Sequence, residues 1–241
     1  MRRVVAAALV VWLPGGLANA QSSGPAFYRA TWWDVASFGV AGGLDLLPTA
    51  LHLPHGAPSC APCDPATLPG FDRWVVRQPI RAADVESSLL LAAVGGWTAF
   101  AGLRGMTAQQ ARGNFVVFAN VATWTAASSE WVKVLVRRKR PVLYTVDAAA
   151  AAGDPDNQKS FPSGHVALAF SAATAYAVIS GREHLPHRTR NIALLYAGAV
   201  GVSALRITAA KHFPSDVAAG AVLGAGIGWL IPTLRHSIRI P

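Results

Sequence analysis

Five segments of this chain are apolar over the length that a helix needs to cross a bilayer: about residues 87–104, 114–136, 163–181, 190–208 and 215–234. At ~1.5 Å rise per residue each reaches roughly 27 Å or more, about the thickness of a hydrocarbon core. Each is rich in Gly, Ala, Ser or Thr, which lets helix backbones approach closely in lipid. The same composition suits the buried helices of a soluble bundle, so the order of charges between the segments has to decide.

Charge is sparse and mostly basic. Of 241 residues, 52% are hydrophobic and 14% charged, with a formal net charge of +9. The basic residues are scattered among apolar segments and form no tail or stripe, which argues against a nucleic-acid partner. They fit a membrane better. Arg104, Arg112, Arg182, Arg188, Arg190, Arg235 and Arg239 fall on or beside the short connections of one face, as expected for the inner side. The connection 137–162 on the opposite face is also basic, so its charges need another purpose.

The first residues, MRRVVAAALVVWLPGGLANA, have the form of a secretory signal. Arg2 and Arg3 precede an apolar core, and Ala18-Asn19-Ala20 supplies a cleavage site. An uncleaved anchor is the alternative. Cleavage after Ala20 leaves the new start outside, and five spans then place the C-terminus inside. Segment 31–50 is apolar but carries Asp34 and Asp45, and a sixth span there would upset this parity. It reads as an interfacial or re-entrant helix with Trp32 and Trp33 near the headgroups. Residues 51–80 are Pro- and Cys-rich and read as an irregular external loop.

Cys60 and Cys63 are the only cysteines, and a disulfide within an exported loop is the first reading. His52 and His55 lie just upstream, so HLPH and CAPC together make a possible zinc ligand set, though the spacer is short and proline-rich. A redox C-x-x-C lacks its strand–helix context.

Polar clusters stand at the outer ends of the apolar segments. In KVLVRRKRP, Lys133 and Arg140 are seven apart and share a helix face, and Pro141 stops or bends the helix. A basic helix end snorkelling to the interface explains this equally well. In PSGH, Ser163 and the amides around Gly164 stand at a helix start, where phosphate binds readily, or where a serine merely caps. In LRITAAKHFPSD, His212 and Asp216 are four apart around Pro214. The carboxylate can orient the imidazole through Nδ1 and leave Nε2 as a nucleophile, or the two are a capping pair. Together the clusters supply cations, a hydroxyl, amides and two histidines, the parts that phosphoryl transfer needs.

These residues resemble the type 2 phosphatidic acid phosphatase and vanadium haloperoxidase-like superfamily, whose signature is K-x6-RP, PSGH and SR-x5-H-x3-D. Lys133, Arg140 and Pro141, then Pro162 to His165, then Arg206, His212 and Asp216 match it in order and spacing. Leu205 stands where the pattern has serine. The resemblance implies an all-α, membrane-embedded bundle of about five to six helices with its active site at the outer helix ends. After a signal peptide at 1–20, residues 21–86 would hold the interfacial helix and external loop. The phosphatase bundle would occupy 87–236, and 237–241 would be a tail. His212 would be the nucleophile, Asp216 its orienting partner, and His165 the acid and then base. Lys133, Arg140, Arg206, Ser163 and the Gly164 amide would hold the phosphoryl oxygens, with no metal and no cofactor. Arg137, Arg138 and Lys139 would attract anionic headgroups in a general way.

The implied activity is hydrolysis of a lipid phosphate or diphosphate, of phosphatidate-like, polyprenyl or lipid A type. The implied place is a bacterial-type inner membrane with the site facing the periplasm or exterior. The alternatives are a vanadium-dependent haloperoxidase, since the same pocket binds vanadate, and a non-catalytic phospholipid-binding protein.

Overall fold

A computed structural model describes residues 27–237. The signal-peptide expectation for residues 1–20 and nearly all of the 237–241 tail lie outside the described residues. Among those described, the regular elements are all helical. The long ones are α1 (Trp32–Ala50), α3 (Arg81–Leu103), α4 (Ala108–Val136), α6 (Gly164–Arg182), α7 (Arg188–Thr208) and α8 (Pro214–Ser237). Two helices of one turn, α2 (Gly70–Arg73) and α5 (Ala148–Ala151), lie in the connections. All five expected spans are present as helices with ends shifted by a few residues.

Four of them, α3, α6, α7 and α8, are long and apolar enough to cross a membrane. Helix α4 is the longest but is more polar. It buries Asn114, Asn120, Thr125 and Ser129 along its length, where facing helices rather than lipid surround them. The Thr107 hydroxyl and the Gln110 side chain form a capping box that fixes where α4 begins.

The bundle centres on α6, the most buried of the four span-length helices. Its Val166, Ala169, Ala173 and Tyr176 meet Val94 of α3, Leu195, Ala199 and Val202 of α7, and Val217 of α8. The α6–α8 contact is the most extensive, and its closeness is written in glycine. Gly220, Gly224 and Gly228 recur every four residues on one face of α8. A Cβ added to them would lie 2.5 Å from the Ser163 carbonyl oxygen, 2.0 Å from that of Ala167 and 2.5 Å from that of Ser171. These contacts pin α8 to the start of α6, where the PSGH residues sit. Gly224→Ala is expected to cost roughly 1–3 kcal/mol, seen as earlier thermal unfolding in detergent. Gly226→Ala, whose Cβ would meet nothing within 4 Å, should be close to neutral. Equal effects of the two would refute this account of the contact.

Helix α1 runs alongside α4 in the same direction. Asn120 Nδ2 donates to the Asp34 carbonyl at 3.2 Å, Trp124 Nε1 to Ser37 Oγ at 2.9 Å, and Trp131 Nε1 to the Leu44 carbonyl at 2.9 Å. The axis of α1 therefore follows the bundle instead of lying across its end, as an interfacial helix would. The parity argument separated the start of the chain from its end. In the structure Asp34 pairs with Arg235, and the Tyr28 hydroxyl donates to the Pro232 carbonyl. Both termini of the described chain stand at one end of the bundle. The polar clusters stand at the other.

Residues 51–80 are mostly irregular, as the sequence suggested, yet they are anchored. Cys60 and Cys63 are joined as a disulfide, so neither thiol is left for a zinc site with His52 and His55. The Cys63 amide donates to the Leu143 carbonyl at 2.8 Å, which ties this loop to the turn following Arg140.

Candidate active site

The ends of α4 and α7 and the starts of α3, α6 and α8 meet at one end of the bundle. Lys133 sits in the last turn of α4, with Nζ 3.1 Å from where a Cβ on Gly164 would be, so glycine there leaves room for the ammonium. Arg140 follows the helix end, its amide held by the Asn157 carbonyl at 2.8 Å. Arg206 projects from the last turn of α7, and His212 precedes α8. The charges of Arg206, Lys133 and Arg140 all act on His165, and those of Arg206 and Arg140 on His212. The three sequence motifs thus converge on one centre.

Arg140 Nε, Ser163 Oγ and Arg206 Nε are buried and have no hydrogen-bond partner among the described residues. Buried polar atoms normally find partners. Three of the unpartnered buried donors come from the three motifs and lie amid three basic side chains. Ser163 is the residue before α6, but its side chain makes no capping bond. That removes the simple capping alternative.

His212 is buried, and its Nδ1 lies 2.7 Å from the Ser160 carbonyl oxygen. A carbonyl only accepts, so Nδ1 carries the proton and Nε2 keeps its lone pair. Burial pushes the imidazole pKa down to about 3 against the pull of Asp216, so the ring is neutral at ordinary pH. The sequence assigned Asp216 the Nδ1 contact. Its carboxylate stands 3.8 Å away instead, and its nearer partners are Ser160 Oγ at 2.6 Å and the Phe213 amide at 2.9 Å. Asp216 thus caps the start of α8 and holds Ser160, whose carbonyl holds His212.

Arg138 also differs from expectation. It is not a general lure for headgroups. Its Nη1 donates to Asp216 Oδ1 at 2.5 Å, its Nη2 to Asp72 Oδ2 at 2.7 Å, and its guanidinium covers the Phe213 ring at 4.5 Å. Burial works against its charge, but the two carboxylates outweigh this and hold its pKa above the usual arginine value. Asp72 in turn accepts from the Ser215 amide at 3.1 Å and the Ser215 hydroxyl at 2.6 Å. Arg137 is engaged as well, with the His55 carbonyl at 2.8 Å and Gln158 at 3.1 Å.

Three more features carry no motif. Glu130 bridges Lys133 at 3.2 Å and Lys159 at 2.5 Å. Asp84, in the first turn of α3, pairs with Arg206, and Ser87 Oγ accepts from Arg206 at 3.1 Å. Ser88 Oγ lies 3.1 Å from His165 Nε2. The only hint in the sequence is that this otherwise apolar helix opens with the polar run DVESS.

Helices of membrane-spanning length thus bring two histidines and three basic side chains from the three motifs together at one end of the bundle. The sequence matches the PAP2 superfamily over residues 114–239, more than half of its length, and the chain belongs to that superfamily. It is accordingly a phosphoric ester hydrolase.

It is 31% identical over 139 residues to the decaprenylphosphoryl-5-phosphoribose phosphatase of Mycobacterium tuberculosis, in strains CDC 1551 / Oshkosh and ATCC 25618 / H37Rv alike. That match covers 58% of this chain and 71% of the relative. The structure is similar, at a TM-score of 0.44 and 21% identity, to a crystal structure of a transmembrane PAP2 type phosphatidylglycerolphosphate phosphatase from Bacillus subtilis. This second match covers 87% of this chain and 98% of that one.

Proposed function

We propose that this protein hydrolyses a lipid phosphate or diphosphate through a phosphohistidine on His212. The observation that carries the reading is the pairing of a neutral, oriented imidazole with three unpartnered buried donors. His212 Nε2 attacks phosphorus, and the bond to the lipid oxygen breaks with its electron pair on that oxygen. His165 gives this oxygen a proton and becomes a base. It then takes a proton from water, whose oxygen bonds to phosphorus as the P–N bond breaks, releasing phosphate and restoring His212. Lys133, Arg140, Arg206, Ser163 and the Gly164 amide hold the phosphoryl oxygens as charge builds on them. Every role is filled by the chain's own groups.

The disulfide loop packs at the same end as the site, through Cys63 and Leu143. Disulfides persist in oxidising compartments, which supports a site on the periplasmic or exterior face of a bacterial-type inner membrane. There a lipid tail stays in the bilayer while its headgroup enters between the helix ends.

The test is phosphate release by purified protein across a panel of phosphatidate, polyprenyl mono- and diphosphates, and lipid A phosphates. The name of the mycobacterial relative motivates adding a polyprenyl-linked sugar phosphate. At least one lipid should be turned over with vanadate as inhibitor. No turnover of any of them, or vanadate-dependent bromination, would overturn the reading.

A further inference from the structure

The start of α3 stands outside every motif, yet it touches two of the residues that carry the chemistry. Ser88 is exposed on this helix and lies 77 positions before His165 in sequence, with its Oγ 3.1 Å from His165 Nε2. The same hydroxyl is 3.1 Å from the Asp84 carbonyl. Asp84 is itself tied down, by Arg206 through one carboxylate oxygen and by Lys211 at 3.4 Å through the other. The turn that presents Ser88 is therefore fixed against the end of α7.

We propose that Ser88 is a positioning residue for His165 and keeps the imidazole aligned through both of its protonation states. The proposal rests on the acid and base roles assigned above to His165. A hydroxyl has one proton and two lone pairs. Ser88 accepts from Nε2–H and gives its own proton to the Asp84 carbonyl, so Nε2 stays protonated and Nδ1 is the nitrogen that gives up and regains the proton exchanged with the leaving oxygen and the water. Both partners are within reach without movement of the helix. A group that must be an acid in one half-reaction and a base in the next needs a neighbour of this kind. A carboxylate there would hold the ring protonated, and an alkyl group would not hold it at all.

The leaving group supplies the test. An alkyl oxygen departs with difficulty unless it is protonated, whereas p-nitrophenolate departs unaided. Full-length Ser88→Ala, Ser88→Thr and His165→Ala are compared with the parent by kcat/KM on a long-chain alkyl phosphate and on p-nitrophenyl phosphate. This constant covers steps up to and including departure of the leaving group. Ser88→Ala should slow the alkyl substrate about tenfold and the aryl substrate by less than about twofold, with Ser88→Thr recovering most of the loss.

Equal loss on both substrates, or no loss on either, overturns the proposal. The control separates the two readings. If His165→Ala shows the leaving-group dependence and Ser88→Ala does not, only the role of Ser88 falls. If His165→Ala slows both substrates equally, the acid assignment falls and Ser88 falls with it.

Discussion

Replacing His212 with alanine is expected to abolish phosphate release, by on the order of 10³-fold or more in kcat, since removing a nucleophile from a unit of cooperating groups leaves only binding and electrostatics. The reason is geometric. Nε2 of the neutral ring is the group whose lone pair is freed by an obligatory Nδ1–H contact to the Ser160 carbonyl. The variant should still fold, because no other side chain depends on His212 for a buried charge partner, and Asp216 keeps Arg138, Ser160 and the Phe213 amide. Rapid acid-free quenching with labelled substrate should trap a phosphoenzyme in the parent protein and none in His212→Ala. Substantial residual turnover, or undiminished labelling, would refute the assignment of His212 as nucleophile.

Arg138→Met is expected to be the most damaging change away from the reacting atoms. The two carboxylates that Arg138 joins are fully buried, those of Asp72 and Asp216. Removing the cation strands two negative charges out of water, and breaking one buried pair typically costs about 3–5 kcal/mol. The loss should appear as a large drop in thermal midpoint in detergent. Activity should fall too, since Asp216 holds Ser160 and Ser160 holds His212. Arg137→Met is the matched control, because Arg137 is exposed and bonded only to neutral oxygens. A midpoint for Arg138→Met as mild as that of Arg137→Met would show that the network does not carry this load.

The Arg138 network also gives residues 51–80 a purpose that their composition conceals. A loop rich in proline, with a disulfide and one-turn helices, looks like surface decoration. Asp72 makes it part of the scaffold of the site, because one buried carboxylate caps the start of α8 and clamps Arg138 against Asp216. The loop thus helps hold the turn that carries His212.

Much was legible from residue order. Span-length apolar segments fix where helices run, because burial of that length leaves few other choices. The three motifs could be found because each is local: seven positions from Lys133 to Arg140, three from Pro162 to His165, ten from Arg206 to Asp216. Short spacing keeps the groups of each motif near one another, although α4 ends at Val136, so Lys133 and Arg140 do not share the helix face that a seven-residue spacing suggested.

The tertiary structure decided what spacing cannot encode. Arg138 and Lys139 read alike in RRKRP, and only a carboxylate 66 positions earlier in the chain makes one of them a cornerstone. Ser88 and Asp84 meet His165 and Arg206 from a helix 77 and 122 positions away. Helix α1 read as interfacial or re-entrant because a sixth span would upset the parity, whereas in the structure it runs along α4 and its Asp34 meets Arg235 across 201 positions. In each case a buried or half-buried charge needs a partner, and the partner comes from whichever helix end the packing brings near. The sequence by itself thus determined the helices and the chemical groups of the site, whereas close packing of α6 on α8 and the pairing of distant charges determined how those groups are held.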